Sequence, residues 1–445
     1  MGRRSHSQAL SIWANGERVG AWRIPARGEP ELVYDPSWMA SPAGRPLSLS
    51  LPLAAHGLKG QVVNSYFDNL LPDSRSIRER LATRFGTAST DAFALLQAVG
   101  RDCVGAIQLL AEDEAPTDLR QISGTPMSPA EVEALLLQTV TPGRLGGLPG
   151  EEDVLRISLA GAQEKTALLW HDQQWMRPHG ATPTTHILKL PLGLVGHRQA
   201  DFSTSVENEW LCLNILQAYG LPVPRCAILG FGAQKVLAVE RCDRQLHSSG
   251  SWLMRLPQED FCQALGVPSH LKYEADGGPG LLDLATILRQ SVRAREDLRT
   301  LLAAQLIFWM LAAPDGHAKN FSIHLLPEGR LRLTPLYDVM SIWPVEGAGP
   351  NQFSRHDATL AMAMTGKNKH YRRSTIRRRH FNVTARLCGH GADAEDIVGF
   401  LLDSTPGVLA RMEAQLPAGF PAKVAQPILR GLAASAAALE AMPRD

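Results

Sequence analysis

The sequence predicts an α+β chain in which a small β-rich lobe precedes a larger helical lobe, with a further β-rich segment ahead of both. Three observations carry this. Residues 10–24 alternate apolar and polar side chains around Asn15-Gly16, a pair that suits a two-residue hairpin because both central residues take positive φ. From about Leu155 several short strand-like runs follow one another. After Glu259 most segments read as helices.

Taken in order, the leading hairpin is followed by strands near residues 32–34 and 47–53, then by helices over 74–85 and 91–99. The run from Glu112 to Gly150 is rich in Pro, Gly and acidic residues. It holds one helix, 129–138, and its Gly143, Gly146, Gly147 and Gly150 suit a flexible junction. Residues 155–159 and 166–170 read as a hairpin and 186–190 as a strand. A helix follows over 206–219, where Thr204 and Glu207 have capping-box spacing and Gly220 and Pro222 supply the stop. Residues 225–229 and 235–240 give two more strands, and the apolar run 298–312 reads as a buried helix. The boundaries expected are an extension and linker over 1–148, a small lobe over 149–245 and a helical lobe over 246–445. No internal repeat is visible.

A chain of 445 residues is long enough for two or three domains. Its 44% hydrophobic and 20% charged content is that of an ordinary globular protein, and a net charge of +1 leaves any anionic partner to local clustering. Six cysteines without a CxxC pair argue against a disulfide framework or a zinc site and fit reduced thiols. The start, MGRRSHSQALSIW, turns polar too soon for a signal peptide, and no uncharged apolar run reaches spanning length. The expectation is a cytoplasmic protein without a membrane partner.

The sharpest chemical signal is DGHAKN at 315–320, just after the buried-looking helix. Phosphoryl transfer needs a carboxylate to orient the attacking hydroxyl and take its proton, and hard oxygen ligands for magnesium. Asp315 and Asn320 have the Asp-to-Asn spacing that does both in protein kinases. Two short strands, 321–326 and 331–334, turn at Gly329 and deliver Tyr337-Asp338 where a second metal-binding Asp is needed. The bland alternative makes Asp315-Gly316 a turn and Asp338 a helix cap.

Lys189 ends the apolar strand 186–190. A buried strand lysine needs a matching anion, such as an ATP phosphate; otherwise it is an edge-strand lysine reaching water. Glu207 and Glu209, on the next helix, compete as its partner. The tip SLAGAQ at 158–163 could cover phosphates with backbone N–H groups, although one glycine makes it a poor glycine-rich loop. VERCD at 239–243 ends the last small-lobe strand, where a hinge would pair with adenine and a plain connection would not. Residues 367–380, KNKHYRRSTIRRRH, are either a phosphate-backbone surface or a solvated helix face.

At these residues the sequence resembles the HipA family of toxin kinases. The matching stretches are FDNLLPDS at 67–74, ISLAGAQEKTALL at 157–169, THILKLP at 185–191, VERCDR at 239–244, RLPQEDFCQALG at 255–266, KYEADGGPG at 272–280, DGHAKNFSI at 315–323 and LTPLYDVMS at 333–341. The resemblance implies a two-lobed protein-kinase-like (PI3/4-kinase-like) fold with an N-terminal extension, and ATP and magnesium as cofactors. It assigns Asp315 to catalysis, Asn320 and Asp338 to magnesium, and Lys189 to the ATP phosphates. Ala160, Gly161, Ala162 and Gln163 match the phosphate loop, His317 and Tyr337 lie near the nucleotide, and Glu240 and Cys242 match the adenine hinge. Cys242 stands where family members often carry an aromatic residue. Ser158 matches a serine whose autophosphorylation ejects the phosphate loop. The resemblance further implies an aminoacyl-tRNA synthetase substrate, best known as glutamyl-tRNA synthetase, and a HipB-like helix-turn-helix antitoxin that dimerises on operator DNA. Arg377, Arg378 and Arg379 are the candidate DNA contacts. Competing readings are a small-molecule or lipid kinase, since fold does not fix substrate, and a DNA-bound corepressor with secondary kinase activity.

Overall fold

A computed structural model describes residues 7–140, 157–196, 199–354 and 358–444. The chain forms two compact units whose segments alternate along the sequence. The first comprises Met1–Leu190, Leu229–His270 and Ile323–Arg330; the second comprises Pro191–Ile228, Leu271–Ser322 and Leu331–Asp445.

The first unit opens with the expected hairpin, strands Gln8–Ala14 and Glu17–Ile24, whose turn residues Asn15 and Gly16 have φ of 48° and 91°. Two positive values in succession are what twist-matched hairpin turns require. The hairpin sits in a five-stranded sheet with Glu31–Tyr34 and Leu58–Lys59 on one side and Ile107–Ala111 on the other. Helices Gln61–Asp68, Arg75–Phe85 and Ala92–Val99 contribute to the same core, where the buried Trp22 stacks on Phe67 at 4.0 Å between centroids. Ser74 and Asp91 cap the latter two helices by accepting from the N–H groups of Ile77 and Ala94. The strand expected over 47–53 is absent, apart from one bridge between Ser48 and Leu51. Pro46 precedes the stretch and Pro52 lies within it, and its polar groups bond elsewhere: Leu47 N–H to the Tyr34 hydroxyl, and the Ser48 and Ser50 hydroxyls to Gln263 O.

The second sheet of this unit has the strand order Cys226–Phe231, Gln234–Glu240, His186–Lys189, Lys165–His171, Gln174–Pro178, Gly124–Pro126. Helix Pro129–Val140 lays Val132, Leu135 and Leu136 into a core with Leu168, Leu188, Val236 and Ala238. The expected pairing of 155–159 with 166–170 does not form within the described residues, and the four junction glycines lie outside them. Ile157 instead bridges Asp102, while Lys165–His171 turns into Gln174–Pro178 through Asp172 and Gln173, with φ of 48° and 60°.

The second unit is mainly helical: Ser205–Ala218, Leu281–Leu288, Ala294–Leu311, Arg378–Cys388, Glu395–Gln415 and Ala422–Ala441. The capping box expected at Thr204 does not form: Thr204 makes no side-chain cap bond, and Glu207 is buried. Strands Thr359–Thr365 and Lys369–Arg372 form a hairpin, so the basic run begins in its turn, follows the second strand and enters an α-helix only at Arg378. Among the described residues no helix is long and apolar enough to cross a membrane.

Candidate active site

The candidate residues fall into two groups, one in each unit. In the first unit Lys189 lies on a strand paired on both sides, opposite Leu237 on one neighbour and Lys165 on the other. It is 6% exposed, which removes the reading of an edge-strand lysine reaching water. Residues opposed across a ladder share a face, so the Lys165 and Lys189 side chains leave the sheet on the same side. Lys165 donates to Ala160 O at 2.5 Å.

The stretch 158–163 is tied down at several points. Ser158 is buried; its N–H donates to Asp102 O at 3.2 Å and its hydroxyl to Leu70 O at 2.7 Å. Gly161, at φ of 108°, accepts from Asp73 N–H, and a Cβ there would meet the Lys165 ammonium at 2.6 Å. The Gln163 amide donates to Leu190 O, Glu164 pairs with Arg80, and Ala162 stands exposed. The segment 70–80 of the N-terminal extension therefore holds this loop.

The stretch from Glu240 to Arg244 is anchored by a buried ionic cluster. Asp102 accepts from Arg244, Arg255, Arg241 and Thr184, and Asp243 accepts from Arg241. Burial alone would raise both carboxyl groups, but the guanidiniums hold Asp102 well below the usual carboxylate range and Asp243 at about 2. Burial and the neighbouring Arg241 pull Arg244 down to about 10. Cys242, between the anchors, contacts Gln258 Oε1 at 3.4 Å, and burial pushes its thiol up to about 12, so it stays protonated. Glu240 lies opposite His186 on the lysine strand. Through its backbone Asp102 holds the start of the loop, and through its side chain the segment after Glu240. No local sequence pattern marks that role in GRDCVG.

In the second unit Asp315 follows the buried helix Ala294–Leu311, which ends with Ala312 in the left-handed region. Its carbonyl accepts from the Asn320 amide at 2.7 Å and from His317 N–H at 2.9 Å. The first bond fixes the Asn320 amide so that its oxygen is the atom left for a cation. The Asp315 side chain is 46% exposed, and its Oδ1 accepts from the Tyr273 hydroxyl at 2.6 Å. Buried His317 places Nε2 3.8 Å from the same oxygen. The Tyr337 hydroxyl contacts Ser322 Oγ at 2.5 Å and donates to Lys319 O at 3.1 Å. Strands Ser322–Leu325 and Leu331–Leu333 lead to Asp338, with Gly329 at φ of 70° in the turn. Asp338 itself has φ of 60°, a conformation that costs a non-glycine residue energy and commonly marks functional positions. No helix begins beside Asp338, since the next helical turn starts at Trp343 with Ile342 as its N-cap, so Asp338 caps none. Tyr273 was not singled out in sequence; its signal is the stretch KYEADGGPG, which carried a resemblance but no role.

Glu207 and Glu209 are both buried on helix Ser205–Ala218. The basic run is less available than its composition suggests. Arg378 is buried and paired with Glu395 at 2.5 Å, which takes it out of the surface set. Arg373 lies over the Trp343 and Trp309 rings, and Lys369 pairs with Glu274. Arg377 and Arg379 are exposed.

Residues 10–110 match the HipA N-terminal domain family, and residues 157–408 match the HipA-like C-terminal domain family. A putative kinase of Sinorhizobium fredii is 34% identical over 360 residues, covering 80% of this chain and 82% of that protein. The serine/threonine-protein kinase toxin HipA of Shewanella oneidensis is 28% identical over 345 residues, covering 74% of this chain and 72% of that one. A solved chain from the Shewanella oneidensis complex of HipA, HipB and operator DNA shares the fold. It superposes with a TM-score of 0.76 at 22% identity, covering 97% of this chain and 96% of that one. The chain belongs to the HipA family of serine/threonine-protein kinase toxins.

Proposed function

We propose that the chain transfers the γ-phosphoryl group of ATP, with magnesium, to a serine or threonine of an aminoacyl-tRNA synthetase, glutamyl-tRNA synthetase first among them. The observation that carries the chemistry is Asp315: an exposed carboxylate, fixed through its backbone by Asn320 and oriented by a hydroxyl on one oxygen. The acceptor hydroxyl attacks the γ-phosphorus, the bond to ADP breaks, and Asp315 takes the hydroxyl proton. Asn320 and Asp338 offer an amide and a carboxylate oxygen, the hard donors that magnesium prefers, and such an ion neutralises phosphate charge. Lys189 and Lys165, opposed on one sheet face, suit a polyanion such as the ATP phosphates. His317 and Tyr337 flank the acidic residues, while Glu240 and Cys242 stand at the strand end where adenine would pair.

Ser158 acts as the off switch in this reading. A phosphate on its hydroxyl would face the Leu70 carbonyl in a buried position and could be kept only with the loop out. The synthetase substrate, a HipB-like antitoxin on operator DNA, and a cytoplasmic setting rest on the family and on the partners of the solved relative.

Labelled ATP and magnesium supplied with bacterial protein and tRNA synthetases test the core of this reading. Transfer by the wild type should fall by about 10²–10⁴ in Asp315→Asn with the fold retained. Label entering metabolites rather than protein, or transfer surviving in Asp315→Asn, would overturn it.

A further inference from the structure

We infer that Tyr273 is the positioning residue of the catalytic carboxylate, holding one oxygen of Asp315 so that the other is presented to the acceptor hydroxyl. This rests on the reading of Asp315 as the base.

The Asp315 side chain is 46% exposed, and the last torsion of an aspartate is broad and roughly two-fold, so an unheld carboxylate would flip between its oxygens. Its backbone is fixed by Asn320 and His317, but that does not set this torsion. The Tyr273 hydroxyl does: it donates to Oδ1 at 2.6 Å, a short bond to a charged acceptor. His317 packs edge-on against the tyrosine ring at 5.1 Å between centroids, so the ring has a side support. The tyrosine hydroxyl and the His317 ring nitrogen both lie on the Oδ1 side of the carboxylate, so Oδ2 is the oxygen to be presented to the acceptor.

The segment that carries Tyr273 is built to be stiff. The Tyr273 carbonyl accepts from the N–H groups of Asp276 and Gly278. Gly277 has φ of 93°, and a Cβ on Gly278 would come within 1.8 Å of Leu271 O, so the turn admits little besides glycine at either place. The neighbouring Glu274 is anchored by Ala363 N–H and Lys369 Nζ, each at 2.6 Å. Lys272 O also accepts from Ala318 N–H inside the catalytic stretch, at 3.4 Å.

Tyr273→Phe removes the hydroxyl and keeps the ring against His317. Steady-state rates are measured with labelled ATP, magnesium and the phosphatase-treated protein of a bacterial lysate as acceptor. ATP hydrolysis without acceptor, ATP binding by titration and the thermal midpoint are measured beside them. The expected result is a kcat about 10–100-fold lower, with KM for ATP, ATP affinity and the midpoint unchanged. An unchanged kcat overturns the inference. So does a raised kcat, which would mean the hydroxyl competes with the acceptor, or a loss that appears only in KM for ATP. Asp315→Asn is assayed in parallel to separate the two claims. If Asp315→Asn keeps transfer, or the wild type shows none, the base assignment fails and the inference with it. If Asp315→Asn is inactive and Tyr273→Phe matches the wild type, only the inference fails.

Discussion

Glu259 is fully buried in the first unit, where its Oε1 accepts from Leu49 N–H at 2.9 Å. Burial pushes its carboxyl up to about 8, against the opposing pull of hydrogen bonds from Ser48 and Leu49. It is therefore mostly neutral at pH 7 in the folded chain and ionised in the unfolded one, whose ordinary value is about 4.5. A raised folded-state value makes its contribution complete below about pH 4.5 and lost as pH climbs towards about 8. Stability should then decline across that window with a limiting slope of about 1.4 kcal/mol per pH unit from this group. In Glu259→Gln the side chain is neutral at every pH, so urea unfolding at pH 5, 6.5 and 8 should show a flatter profile for the mutant. Parallel profiles would mean that Glu259 is already charged when folded. Single residues of this kind were hard to see in sequence. Nothing in QEDF distinguishes Glu259 from Asp260, because what sets its proton affinity arrives from Ser48 and Leu49, some 210 positions away.

The proposed phosphate loop, residues 158–163, is an element whose hold on the protein comes from outside itself. Ser158 on Leu70, Gly161 on Asp73 and Glu164 on Arg80 are three ties to one segment of the extension. Arg80→Ala cuts the outermost tie without touching the loop. It should weaken ATP binding several-fold and hasten the loss of activity during incubation with magnesium and ATP, while Ser158→Ala, alone or with Arg80→Ala, should not lose activity in this way. Equal decay in all four proteins would separate inactivation from Ser158. Elements were legible where local chemistry decides them: Asn15-Gly16, the Ser74 and Asp91 caps, and the lysine strand all stand where the sequence puts them. They were illegible where distant partners decide. Asp172 and Gln173 make a tight turn with no glycine to announce it, so the hairpin was placed one strand too early. The run 47–53 has strand-like side chains, but its polar groups are claimed by Tyr34, Gln263 and Glu259. At Thr204 the cap spacing is right, but the neighbouring Ser205 hydroxyl accepts from Leu192 N–H while Thr204 makes no side-chain cap bond.

For the whole molecule, near-neutral charge makes the placement of exposed arginines matter more than their number. With Arg378 buried on Glu395, the proposed DNA contact narrows to Arg377 and Arg379. Replacing both with Gln should weaken binding of the antitoxin complex to operator and scrambled DNA alike. The slope of log affinity against log salt should become shallower by about 0.9 per lost contact, and kinase activity should survive. An unchanged slope with lost phosphorylation would assign these arginines to substrate docking. The proposed catalytic group could be picked out in sequence because Asp315, Asn320 and Asp338 lie close together along the chain. Its neighbours could not: Tyr273 lies in KYEADGGPG, a stretch that carries a resemblance but no role, and Asp102 lies in GRDCVG, which carries no motif. The alternation of the two units along the chain also sets a schedule for synthesis. The lysine strand His186–Lys189 gains its second neighbour only when Gln234–Glu240 has been made, roughly fifty residues later. At about 5–20 residues per second, an apolar strand edge then stands open for about 3–10 seconds on every ribosome. The proposed catalytic residues Asp315 and Asp338 emerge later still. Slower elongation would lengthen that interval and, with it, the exposure of the open edge to other chains.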